Sequence, residues 1–237
     1  MIVGLIHPGE MGASVGRLLQ SNGLEVLWAS EGRSDATRER ARTFRDVGTV
    51  RELAEQSELI LSICPPKAAL EVAHAAAGFD GVFVDANAIS PMRAREVAAI
   101  HPRFVDGGIV GGPPDEPGTT LYLSGAGAAS VAVLFVGSNL EPRVVADASA
   151  VKMVYAAWSK GSAAMLLAIR DVARHFGVED EWRLATPELA ARLPRAERAA
   201  AAKGWRWTGE MEEIADTFAA AGQPDGFHRA AARVYRA

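Results

Sequence analysis

No stretch constrains this chain more than its first thirty residues. Met1-Ile2-Val3-Gly4-Leu5-Ile6 is an apolar run of strand length, and His7-Pro8-Gly9-Glu10-Met11-Gly12 is a turn. Ala13 to Asn22 is helical in pattern, and Glu25-Val26-Leu27-Trp28-Ala29 reads as a second strand. A strand that enters a helix through a glycine turn and returns to a strand belongs to a parallel sheet with covered faces. The turn also has chemical reach, because backbone N–H groups and the dipole at a helix start suit a pyrophosphate. Set against Gly-x-Gly-x-x-Gly, His7 stands at the first glycine. Gly9 takes the second, where backbone must approach phosphate, and Gly12 the third, where helix packs on strand. His7, Pro8, Gly9, Glu10 and Met11 are therefore candidate pyrophosphate contacts. An ordinary strand-to-helix turn that binds nothing is the alternative this segment leaves open.

The alternation continues downstream. Apolar runs at 59–63, 82–85 and 104–106 predict further strands with helical patterns between them. Cys64-Pro65-Pro66 stops the run ending at Ile63, since proline offers no N–H to a ladder. Pro91 stands where a helix starts, and Met92 to Ile100 continue it. The fold class this predicts is α/β, a Rossmann-type doubly wound parallel sheet, whose ligands bind beyond the C-terminal strand ends. The turn at 7–12, Ser30 to Ser34, Cys64 to Pro66 and Asn87 all fall at such ends and are expected to line one crevice. Residues 107–120 are rich in Gly and Pro and lead into a short strand at 121–123. Beyond 145 the strands disappear. Ala146 to Phe176 reads as one long helix interrupted only by Gly161, and shorter helices are predicted near 187–202, 207–221 and 225–236. The expected division is a dinucleotide-binding domain at 1–145 and an all-helical domain at 146–237.

Composition excludes several classes. A net charge of −4 without any Lys/Arg run argues against a nucleic-acid partner. A single cysteine, Cys64, permits no internal disulfide, and His, Asp and Glu show no metal-ligand spacing, so no metal is expected. Cys64 itself reads as a small packing residue. No uncharged stretch reaches membrane-spanning length and the apolar N-terminus reads as a strand, so a soluble cytoplasmic protein is expected.

Two further segments point to chemistry. At the end of the second strand, where an acidic residue usually holds a ribose 2′-hydroxyl, this chain has Ser30, followed by Glu31, Gly32, Arg33 and Ser34. A missing carboxylate and a nearby guanidinium suit a 2′-phosphate, which favours NADP over NAD. Arg33 as one more surface arginine, with Glu31 on the ribose, is the alternative. Lys152 lies near the start of the long helix and Lys160 two turns on. A lysine in a pocket that lowers its pKa can serve as general acid toward a carbonyl oxygen. Both lysines on a solvated stripe is the bland reading. His228 follows a tight turn and reads as a surface histidine, with an active-site role, in a partner chain's site, as the other possibility.

In combination, four blocks resemble the β-hydroxyacid dehydrogenase superfamily, which includes 3-hydroxyisobutyrate and 6-phosphogluconate dehydrogenases and the imine reductases. They are Gly9-Glu10-Met11-Gly12, Asp85-Ala86-Asn87-Ala88-Ile89-Ser90-Pro91, Phe104-Val105-Asp106-Gly107-Gly108-Ile109-Val110-Gly111-Gly112, and Lys152-Met153-Val154. The resemblance implies Lys152 as the catalytic proton donor, and Asn87, Cys64, Pro65 and Pro66 beside the cofactor. It also implies Gly111, Gly112, Tyr155 and Lys160 near substrate. Departures are informative: Val110 replaces the family serine, Ala156 the substrate-orienting asparagine, and Ser159 the glutamate of the phosphogluconate branch. A sugar acid is thus not expected. The C-terminal part, with Glu210-Met211-Glu212-Glu213-Ile214 and Pro224-Asp225-Gly226-Phe227-His228, is similar to a subgroup of phosphogluconate dehydrogenase-like oxidoreductases with a compact helical domain.

The reading this supports is hydride transfer between NADP(H), with NAD as the lesser option, and a small carbonyl or hydroxyacid. The site is expected in the cleft between the domains. An imine reductase or a non-catalytic dinucleotide sensor are the rival readings. The apolar long helix is expected to pair with a second copy in a homodimer.

Overall fold

A computed structural model describes residues 1–236. The chain forms two units, Met1–Lys152 and Met153 onward.

The first unit is built on one sheet of eight strands. These are β1 (Ile2–Ile6), β2 (Glu25–Trp28), β3 (Arg45–Asp46), β4 (Leu59–Ser62), β5 (Val82–Asp85), β6 (Phe104–Val110), β7 (Thr119–Ser124) and β8 (Leu140–Val144). Their spatial order is 3-2-1-4-5-6-7-8. Every neighbouring pair is parallel except β6–β7. Strand β4 is apolar almost throughout because the sheet is covered on both faces. One apolar cluster contains Val3, Leu5, Val15, Leu19 and Leu61, and a second contains Ile6, Leu53, Ile60, Val72 and Phe83. Successive β1 residues Leu5 and Ile6 thus belong to opposite layers, as the two-residue strand period requires.

The helices of this unit are α1 (Glu10–Ser21), α2 (Asp35–Arg40), α3 (Val50–Gln56), α4 (Ala69–Ala75), α5 (Pro91–Ala98) and α6 (Ala128–Val133). Local chemistry starts several of them. Thr49 and Glu52 form a reciprocal capping box at α3. Ser34 and Ser90 accept N–H groups of α2 and α5, the latter with Pro91 at its first position. The helix α7 (Ala148–Ala156) runs across the division between the units.

In the second unit a five-residue π turn, Ala157–Gly161, continues α7 into α8 (Ser162–His175). Then come α9 (Glu179–Ala185), α10 (Pro187–Ala220) and α11 (Gly226–Val234). Gly161, predicted to interrupt a single long helix, therefore ends a local widening of that helix. The two helices expected at 187–202 and 207–221 are one helix of 34 residues that includes Pro194. The first helix starts at Glu10, three residues earlier than predicted. Strand β6 continues through Gly107 and Gly108 to Val110. Strands β3 and β8 were not predicted, since Arg45–Asp46 carries no apolar residue and β8 is a largely exposed edge. No helix among the described residues is long and apolar enough to cross a membrane.

Candidate active site

The strand order reverses between β1 and β4, where one branch of the sheet runs to β2 and the other to β5. Ligands of open parallel sheets bind beyond the C-terminal strand ends at such a point. The loops that leave β1, β2, β4, β5 and β6 here carry most of the residues singled out above.

The β1 loop is shaped by its backbone. His7 has φ +62, the chain's one non-glycine residue in the left-handed region among those described. This is the place of the missing first glycine, so the histidine holds the conformation that a glycine takes freely, at a cost of about 1 kcal/mol or more. The Gly9 N–H donates to the His7 carbonyl at 2.7 Å. Gly9 then caps α1 with no side chain, and a Cβ added there would meet nothing within 4 Å. A Cβ on Gly12 would lie 2.9 Å from the His7 carbonyl oxygen. The two glycines differ in purpose: Gly9 leaves an open approach to a bare helix start, and Gly12 permits close packing. That is the cradle a diphosphate fits. Pro8 is buried beneath it, Met11 packs on the core, and Glu10 is exposed.

Arg33 and Arg40 stand at this cradle, and Arg38 at the neighbouring end of β2. Arg33 lies close enough to act on His7, whose imidazole burial and then the Arg33 charge pull down to about 4. His7 Nδ1 is buried without a partner. Arg40 Nε donates to the Pro8 carbonyl at 3.5 Å, and Arg38 Nη2 to the Ser30 carbonyl at 2.9 Å. Ser30 is buried, and Ser34 is occupied as the α2 cap. Sequence reasoning left Arg38 and Arg40 as arginines of the following helix and did not single out Asp46. Burial alone would raise the Asp46 carboxyl, but hydrogen bonds from Ser30 and Gly48 and the Arg38 charge hold it below its ordinary value. Its pairing with Ser30 arises because β3 lies beside β2, a neighbourhood no local sequence signal reveals.

Asn87 is buried and its side chain is engaged in the protein. Its Nδ2 donates to Asp85 Oδ2 at 2.8 Å and Ser62 Oγ at 3.1 Å, and its Oδ1 accepts the Cys64 N–H at 2.5 Å. Asn87 thereby staples the β4 and β5 loops and sets the path of Cys64-Pro65-Pro66. Pro65 is exposed and Pro66 buried. Burial, and then Asp85, push the Cys64 thiol up to about 12, so it is no nucleophile at neutral pH.

Beyond β6, Gly111 has φ +130, and any Cβ there would lie 2.4 Å from Thr119 Oγ1. The same Thr119 hydroxyl donates to the Gly112 carbonyl at 2.8 Å. The loop's Asp115 accepts from Ser14 Oγ and Arg17 Nη2, each at 2.8 Å, which ties it to α1. Lys152 Nζ donates to the Ile109 carbonyl at 2.6 Å. Its amine thus sits at the end of β6, the same sheet end as the glycine cradle.

The second unit holds Tyr155, exposed, and Lys160, which is not on a solvated stripe. Lys160 Nζ pairs with the buried Glu210 carboxylate and lies 5.7 Å from the Trp207 ring centre. Its carbonyl, in the π turn, accepts the Tyr235 hydroxyl at 2.6 Å. His228 is 8% exposed, which corrects the surface reading; its ring packs against Gly161 and edge-on to Phe218. No group of three His, Cys, Asp or Glu among the described residues is placed to hold a metal.

An eight-stranded, mostly parallel sheet followed by a helical unit is the fold of the 3-hydroxyacid dehydrogenases, as the four sequence blocks imply. Residues 173–237 match a family described as a domain of unknown function, DUF1932. An uncharacterised 28.5 kDa protein of Methanothermus fervidus is 27% identical over 194 residues, 76% of this chain and 74% of its own length. A conserved protein of unknown function, whose structure revealed similarity with 3-hydroxyacid dehydrogenases, is 27% identical. The match covers all of this chain and 96% of that one, with a TM-score of 0.72. A reductive aminase of Aspergillus terreus, solved with NADPH, cyclohexanone and allyl amine, shares the fold at 18% identity and TM-score 0.59. That match covers 95% of this chain and 89% of the aminase.

Proposed function

We propose that this chain is an NADP(H)-dependent oxidoreductase that moves hydride to or from a small carbonyl or hydroxyacid substrate, with Lys152 as general acid and base. The observation that carries the reading is the shared placement of two features in the first unit. The open glycine cradle and the Lys152 amine stand at one end of one sheet. The NADPH complex of the structurally similar reductive aminase supports the choice of cofactor.

Gly9 and the first turn of α1 would hold the diphosphate, and Arg33, with Arg38 and Arg40 close by, would answer a 2′-phosphate. The bound nicotinamide would supply the hydride chemistry. The chain's own work is placement and proton transfer. Gly111 and Gly112 present backbone to an anionic substrate group, and open space lies before Gly112. Lys152, held on the Ile109 carbonyl, gives its proton to a carbonyl oxygen on reduction and takes it back on oxidation. Lys160 already has a counter-ion in Glu210, so an anion there would have to compete with that carboxylate.

A second copy of the chain is the proposed partner. Met165, Ile169 and Val172 on α8 and Phe176 at its C-cap recur at helical spacing, and all four are exposed. Such a stripe suits a matching stripe across a two-fold axis.

Fluorescence titration with NADPH and NADH, followed by a panel of ketoacids, hydroxyacids and imines, tests the reading. NADPH should bind more tightly, and Lys152→Ala should abolish turnover while leaving cofactor affinity unchanged. Absence of NADPH binding would refute it; turnover of imines alone would replace the carbonyl by a C=N bond; binding without any turnover would mark a sensor.

A further inference from the structure

Asp106 lies in the middle of β6 and is 9% exposed. Its carboxylate reaches away from its own strand to a second strand and a helix. Ser124 Oγ on β7 donates to Oδ2 at 3.0 Å. The Ser149 N–H, in the first turn of α7, donates to Oδ2 at 2.8 Å, and Ser149 Oγ to Oδ1 at 2.5 Å. Ser124 Oγ in turn accepts the Ala148 N–H at 2.9 Å. Two of the N–H groups that every helix start leaves without intrahelical acceptors thus end on side chains of the sheet. A carboxylate in that place also complements the helix dipole.

The same strand touches α7 at two more points. A Cβ at Gly108 would lie 2.8 Å from the Ala148 carbonyl oxygen and 2.9 Å from Lys152 Cβ, so helix and strand are in direct contact there. One residue on, the Ile109 carbonyl accepts from Lys152 Nζ. Anchor, contact and amine therefore follow one another along β6 at Asp106, Gly108 and Ile109. Burial, with a smaller push from Asp147, raises the Asp106 carboxyl, while the Ser149 and Ser124 hydrogen bonds oppose the rise. A buried carboxyl whose bonds run to a helix start is placed to dock that helix.

We infer that Asp106 is a positioning residue that, through Ser149 and Ser124, fixes the start of α7 so that the Lys152 amine is delivered to the end of β6. The consequence for catalysis rests on the proposed role of Lys152; the docking itself does not. Asp106→Asn removes the negative charge at the start of α7, and its N–H₂ stands where one of the two acceptor oxygens received the Ser149 and Ser124 donors. A displaced amine should lower kcat by about tenfold or more, as small misplacements of reacting groups do. NADPH affinity should be unchanged, because the glycine cradle is remote from the change along the sheet.

A second readout is independent of turnover. Mass spectrometry of limited acylation should show Lys152 labelled several-fold faster in Asp106→Asn than in the wild type. Ser149→Ala, which keeps the backbone bond, should give a smaller rise, and Ser149→Thr should restore wild-type protection. Unchanged Lys152 labelling in folded Asp106→Asn or in Ser149→Ala overturns the inference. If Lys152→Ala retains turnover while Asp106→Asn still exposes the amine, the proposed function fails and the docking role stands.

Discussion

Replacing Gly9 by alanine separates the two uses of glycine in the first turn. Gly9 has φ −67 and ψ −168, a conformation alanine adopts without strain, and its added methyl would meet no atom within 4 Å. Folding should therefore be unharmed, and alanine's narrower unfolded ensemble should add about 0.4–1 kcal/mol of stability. Cofactor binding should suffer, because the methyl fills the approach left open for a phosphate. Losing one charge-assisted hydrogen bond of about 1.5–3 kcal/mol corresponds to about a ten- to hundred-fold weaker Kd. Gly12→Ala is the contrasting variant. Its methyl would stand 2.9 Å from a backbone oxygen that cannot swing aside, so overpacking of about 1–3 kcal/mol is expected. Urea unfolding and NADPH fluorescence titration on the same preparations measure both quantities. Wild-type NADPH affinity in Gly9→Ala, or a loss of stability matching that of Gly12→Ala, would refute the reasoning.

Other outcomes follow from the same geometry. His7 is held neutral in the fold, with its pKa lowered to about 4 from 6.5, so the unfolded chain takes up its proton first on acidification. The associated stability is complete above about pH 6.5 and is lost as pH falls toward 4, by at most about 2 kcal/mol after allowing for the ring's partial exposure. His7→Gly should erase that slope in a pH series of urea midpoints, and its persistence would count against His7 as the source. Glu210→Gln leaves the Lys160 ammonium half-paired in a largely buried place, and thermal unfolding should show a loss of about 3 kcal/mol. A change close to zero would mean the pair is not formed in solution. Met165→Glu on the exposed α8 stripe should turn a dimer into a monomer in sedimentation velocity; a monomeric wild type would end the dimer proposal.

The parts of the fold that were legible are those written in local pattern. Leu59 to Ser62 and Val82 to Asp85 are apolar runs bounded by turn chemistry, and they are central strands. Other elements depend on distant partners. Arg45–Asp46 forms a strand only because β2 offers its edge, and neither residue has strand character. Gly107 and Gly108 look like loop residues, yet they stay in β6 because they pair with Leu123 and Tyr122 of β7, and they are glycines because Asp85, Ala148 and Lys152 crowd the places where side chains would stand. The local pattern predicts separate helices near 187–202 and 207–221, but Leu193, Ala196 and Met211 are buried along one continuous α10. In the site, Gly9 and Gly12 could be found by spacing, and Lys152 by the resemblance of its block to the β-hydroxyacid dehydrogenases. The bonds of Asp106 to α7 and β7 could not, since its partners lie 18 and 43 residues away. Nor could the pairing of Lys160 with Glu210, 50 residues on.

The crowding at Gly108 has a consequence for anyone who would redesign this protein. Hydrogen is the single substituent that fits between that strand and the helix bearing the lysine, so the spacing there is not an adjustable quantity. A library at position 108 should return one amino acid. An amine with longer reach would have to be sought by changing the length of the side chain at 152, since the gap beneath it cannot be widened a methyl at a time.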